Sequence, residues 1–100
     1  MSQDFLKKAQ ELQKQMLSIQ NDLSEMVVVG ESGGGLVKVE IRASDNNALK
    51  FEVSKDVVDD DILLSDLLVA AVNNAIKNAE DIRQEKIRSV QHLFPDSSNL

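Results

Sequence analysis

Gly30, Gly33, Gly34 and Gly35 fall between two long amphipathic helical patterns, and the residues after them begin an apolar–polar alternation. A chain whose apolar period changes from helical to alternating around a glycine cluster has to place strands between helices. Gly30 and Gly35 also stand at the spacing of the two P-loop glycines. Leu36 and Val37, however, occupy the places where Lys and Ser or Thr would hold phosphate and magnesium, and a strand follows where that motif needs a helix N-terminus. The cluster therefore predicts a loop joining two antiparallel strands, with glycine supplying positive φ.

Upstream, Phe5, Ala9, Leu12, Met16, Ile19, Leu23 and Met26 recur at steps of four and three, the a/d seam of a heptad pattern. One helix is expected from about Asp4 to about Leu23, with Lys, Gln and Glu on its other faces. Three heptads are short for a free coiled coil, so the seam needs the second helix or a second copy of the chain. Val27, Val28 and Val29, ending in Gly30, read as a first strand. Val37, Val39, Ile41 and Ala43 alternate with Lys38, Glu40 and Arg42 as a second, half-buried strand. Ser44, Asp45, Asn46 and Asn47 form the turn, and Leu49, Phe51 and Val53 mark a third strand whose edge needs pairing or cover.

The second helix is expected from about Ile62 to about Val90. Leu64, Leu68, Ala71, Val72, Ala75, Ile76, Ala79, Ile82 and Ile87 trace its apolar stripe, and the small alanines allow close packing. Asp59, Asp60 and Asp61 before it lack the ligand spacing of a calcium loop, and N-capping accounts for them. Asn73 and Asn74, set in the most apolar part of this helix, are expected to bring one amide against a polar partner or a symmetry mate. The predicted class is α+β, in the order helix, three-stranded antiparallel meander, long helix. It occupies residues 1–94 as one domain, with a polar tail over 95–100 that begins at Pro95.

The chain has no cysteine, which excludes a disulfide framework and thiolate chemistry. No apolar run is long enough to span a membrane and no leader pattern is seen, so a cytoplasmic protein is expected. His92 is the single histidine, near the end of the last helix, with no serine or carboxylate placed beside it by a recognisable motif. No nucleophile, catalytic pair, metal set, cofactor motif or small-molecule site stands out, and a non-enzymatic protein is expected.

Seventeen acids against eleven bases give a net charge of −6, but the charge is uneven. Residues 1–20 hold Lys7, Lys8 and Lys14 against two acids, whereas residues 21–60 hold nine acids against four bases. Near the C-terminus Arg83, Lys86 and Arg88 form a second short basic run around Glu85.

The stretch Gly30 to Val39, the segment Asp66 to Ala75, the Lys- and Gln-rich first helix and Gln84 Glu85 Lys86 together resemble the YbaB/EbfC family of bacterial nucleoid-associated proteins. Ser54 and Lys55 stand where that family's pattern has Asp-Pro. The resemblance implies a homodimer with projecting helices, like a pair of tweezers, that binds duplex DNA in the nucleoid with weak or modest sequence preference. No enzymatic activity is implied.

The candidate DNA-binding residues are Lys7, Lys8, Lys14, Arg83, Lys86 and Arg88, which a twofold particle would present twice. Lys38, Arg42 and Lys50 form a secondary set diluted by Glu40 and Glu52. With three Phe and no Trp or Tyr, no aromatic is placed for base stacking, so single-strand readout is not expected. The competing reading is a protein-interaction or structural module whose helix seams bind another protein while the lysines merely solvate.

Overall fold

The computed structural model describes residues 3–93 and has the order α1 (Gln3–Glu25), β1 (Val27–Ser32), β2 (Val37–Arg42), β3 (Ala48–Val53) and α2 (Asp61–Arg88), followed by a 3-10 turn at Gln91–Leu93. This is the expected α+β order, with boundaries within about two residues of the sequence reading. The tail over 95–100 lies outside the described residues. The sheet is antiparallel in the order β1-β2-β3, with Val28 opposite Ile41, Gly30 opposite Val39, and Val39 opposite Phe51. A bulge interrupts the β2–β3 ladder between Glu40 and Ile41.

Alternation decides which strand face is covered. Val37, Val39 and Ile41 are fully or almost fully buried under α2, while Lys38 between them is exposed. Each such side chain contributes about 2 kcal/mol of hydrophobic stabilisation. α2 answers with its smallest residues: Ala71, Ala75 and Ala79 have no exposed surface and lie against the sheet. The partner of that small face is Gly30, and here the structure corrects the sequence reading. Gly30 neither ends β1 nor turns the chain; it lies inside the strand, where a Cβ would collide with the backbone of Ala71 and Ala75. The turn belongs to Gly33, Gly34 and Gly35, with φ of 62°, 67° and 97°, closed by the Gly35 N–H donating to the Ser32 carbonyl at 3.1 Å.

Asp60 caps α2: its Oδ1 accepts from the Leu63 N–H at 3.1 Å. The acidic run before this helix therefore serves its first turn. α1 packs from Leu12 onward: Ile19 and Leu23 are buried, Leu12 and Met16 are partly covered, and so is Met26 just beyond the helix. The N-terminal half of the seam is not enclosed: Ala9 is exposed and Phe5 keeps 56% of its surface. At 1.5 Å per residue, α1 is about 35 Å long, and its projection helps to make the molecule 66 × 27 × 15 Å. Among the described residues no helix is long and apolar enough to cross a membrane.

Candidate nucleic-acid interface

The nine candidate bases fall into three environments. Lys7, Lys8 and Lys14 are exposed on the projecting half of α1, and among the described residues no carboxylate lies within ion-pair distance of them. Lys7 and Lys14 are two turns apart, about 10 Å along the axis, and share the side opposite the heptad seam. Lys8 stands about 100° round the helix from Lys7. This places a basic face, with Asp4 and Glu11 one turn from its lysines but no ion pair formed with them, far along the chain from the acidic stretch at 56–61.

The second group, on the outer sheet face, is neutralised locally. Lys38 lies opposite Glu31 on one side and Glu52 on the other, and Lys50 lies opposite Glu40. Lys50 Nζ is 3.3 Å from Glu52, and Arg42 Nη1 donates to Asp45 Oδ2 at 3.0 Å. The Asn47 N–H, donated to Asp45 Oδ1 at 3.0 Å, holds that carboxyl below the ordinary carboxylate value; desolvation opposes it, and Arg42 adds to the lowering. These bases belong to a strand face of alternating sign.

The third group is split. Arg83 Nη1 donates to the Ala43 carbonyl at 2.8 Å and to Asn46 Oδ1 at 2.9 Å, so this guanidinium ties α2 to the β2–β3 turn. Asn46 has φ of 62°, a left-handed residue that Arg83 helps to hold. Lys86 is half-buried beside Met26, Ile82, Glu85 and Ser89, while Arg88 is exposed. The sequence run Arg83, Lys86, Arg88 is thus one turn anchor, one half-covered lysine and one solvent-facing arginine.

Polar residues that the basic inventory passes over hold the fold around this surface. Asn74 Oδ1 accepts from the Glu31 N–H at 3.0 Å, and Asn78 Nδ2 donates to the Val29 carbonyl at 3.0 Å. The polar partner expected for one of Asn73 and Asn74 is therefore the backbone of β1. Asn78 was not singled out by sequence; its i, i+4 spacing from Asn74 was the available signal. His92 is exposed in the terminal 3-10 turn, and no group of three or more potential metal ligands occurs among the described residues.

The model of the YbaB/EbfC DNA-binding family matches residues 1–93. The chain belongs to the YbaB/EbfC DNA-binding family. This YbaB/EbfC chain is 36% identical over 99 residues to a nucleoid-associated protein of Buchnera aphidicola subsp. Baizongia pistaciae (strain Bp), covering 97% of this chain and 89% of that protein. Its fold is also similar to the crystal structure of an uncharacterised Helicobacter pylori protein, with a TM-score of 0.68 at 17% identity, covering 82% of this chain and 96% of that one.

Proposed function

We propose that this YbaB/EbfC protein is a nucleoid-associated DNA-binding protein. It acts as a homodimer in the cytoplasm and holds duplex DNA mainly through phosphates, with weak or modest sequence preference and effects on nucleoid organisation and gene expression. The observation that carries the reading is the exposed set Lys7, Lys8 and Lys14, free of ion pairs among the described residues and set on a helix that projects from the acidic body. Arg88 and Lys86 supplement it; the neutralised Lys38, Arg42 and Lys50 and the anchored Arg83 contribute less. A chain of net charge −6 meets a polyanion only through such a segregated face. The homodimer is supported by Leu49, Phe51 and Val53, which α2 leaves 45%, 45% and 37% exposed on the apolar side of β3.

Fluorescence anisotropy on random duplex DNA across a salt series tests the function. Phosphate-driven binding predicts that log affinity falls linearly with log salt and changes little with sequence. Charge reversal of Lys7, Lys8 and Lys14 to Glu should abolish binding while leaving the sedimenting mass unchanged. The alternative, a protein-interaction module, is favoured by the exposed distal seam at Ala9. Absence of binding by the parent protein at low salt would leave that reading in place of DNA binding.

A further inference from the structure

The two helices turn different faces to solvent. On α2 the outward side interleaves both signs: Lys77 pairs with Asp81 at 3.3 Å, and Gln84 donates to Glu80 at 3.4 Å. On the projecting part of α1 the signs are sorted instead. At about 100° per residue, Gln10 lies between Lys7 and Lys14 on one flank and Leu6, Gln13 and Leu17 on the other, and all six are exposed. Asp4 and Glu11 stand about 100–120° round the helix from Gln10, so the stripe centred on it holds no acid. Leu6 and Leu17, 54% and 60% exposed, lie off the heptad seam, and neither packs against the core. A stripe of amides, lysines and bare leucines without a carboxylate suits contact with a polyanion that also offers polar and methyl groups.

We propose that α1 enters the major groove of duplex DNA along this stripe and reads A·T pairs, with Gln10 bonding the adenine edge and Leu6 lying against a thymine methyl. The inference rests on the DNA-binding reading and names the residues behind its modest sequence preference. A helix with its side chains is about 10–12 Å across and the groove about 12 Å wide, and α1 is uncovered before Leu12. The glutamine amide sets a carbonyl beside an NH₂, which match the N6 donor and N7 acceptor of adenine; guanine presents two acceptors there and leaves the carbonyl unmatched. Leu6 precedes Gln10 by four residues, about 6 Å along the axis, close to the rise of two base pairs at about 3.4 Å each. Its side chain therefore falls on the thymine methyl of a nearby pair. Lys7 and Lys14 then lie toward the phosphates at one side of the groove, which positions the helix without reading sequence. Lys8, about 160° round from Gln10, adds charge at longer range.

Base analogues test this without altering a phosphate. Anisotropy titration of the full chain compares three duplexes of one mixed A·T sequence: unmodified, with 7-deazaadenine for adenine, which removes the N7 acceptor, and with uracil for thymine, which removes the methyl. The parent should bind the 7-deazaadenine duplex roughly fivefold more weakly, the low end of what one bidentate pair discriminates, and the uracil duplex more weakly by a smaller factor. Gln10→Ala should bind the unmodified and 7-deazaadenine duplexes equally, with its salt dependence unchanged, and Leu6→Ala should lose only the uracil difference. Both positions are exposed and alanine favours helix, so neither variant disturbs the fold. Lys14→Ala, by contrast, should weaken binding to all three duplexes alike and flatten the salt dependence. Equal parent affinity for the three duplexes overturns the groove reading while leaving phosphate-driven DNA binding in place; no binding to any of them at low salt overturns both. A 7-deazaadenine penalty that persists in Gln10→Ala overturns the assignment of Gln10.

Discussion

The β1 side of the sheet and the β3 side are made from similar residues yet end in opposite conditions. β1 has Val28 and Gly30 under α2, a glycine that lets Ala71 and Ala75 reach the strand, and two asparagines bonded to its edge. β3 carries Leu49, Phe51 and Val53, larger and more apolar, and keeps them in solvent. The helix lies where close approach is allowed, over a glycine and a row of alanines, and not where the most apolar area waits. The uncovered area is then surface available to another molecule.

The most damaging way to break this asymmetry is to lift α2 from β1. Gly30→Ala should destabilise the chain by about 3 kcal/mol or more in urea unfolding, since the added Cβ meets helix backbone that cannot rotate away. Phe51→Ala, removing far more apolar volume on the other side, should cost the isolated chain less than about 1 kcal/mol, because nearly half of that ring is already in water. A reversed order of these two costs would refute the contrast.

Smaller perturbations sharpen it. Arg83→Gln should cost about 2 kcal/mol, because the half-buried guanidinium makes two hydrogen bonds that tie α2 to the β2–β3 turn. Asn74→Ala should cost about 1 kcal/mol and speed hydrogen exchange at the Glu31 amide, the group it unbinds. Asp45→Asn should give the smallest change. The Asp45 pKa is depressed by folding, so its contribution is fully present above the unfolded carboxylate range and is lost as pH falls through the lower folded value. Stability curves of the parent and Asp45→Asn should accordingly converge in acid and separate at neutral pH.

Much of this architecture is legible in the sequence. Periodicity locates both helices and all three strands, and the acidic run before α2 reads as its cap. Periodicity shows that a face is apolar, though, and not what covers it. The seven-position seam of α1 gave no sign that burial would stop at its C-terminal half, nor did the alternation of β3 reveal that α2 would pass it by. In sequence Gly30 reads as a turn glycine because it stands in a glycine cluster, while its packing role depends on Ala75, 45 residues further on. Arg83 looked the same as Arg88 in sequence; only the path of the chain brings Ala43 and Asn46 within its reach. The exposed lysines of α1 are readable in sequence as segregated charge, whereas the acids set opposite Lys38 and Lys50 need the strand register.

The bonds from Asn74 and Asn78 to β1 close far more distant parts of the chain than the two strand turns do. β1, β2 and β3 are joined by short turns and can pair early, before α2 has been placed, while Glu31 and Val29 gain their helix partners across 43 and 49 residues of chain. During that interval the meander has two open edges, not one, and is at its most prone to pair with other chains. Docking of α2 closes one edge and so converts a two-ended strand template into a one-ended one. With one edge closed the chain offers fewer sites for strand addition, so slow docking of α2 should favour aggregation.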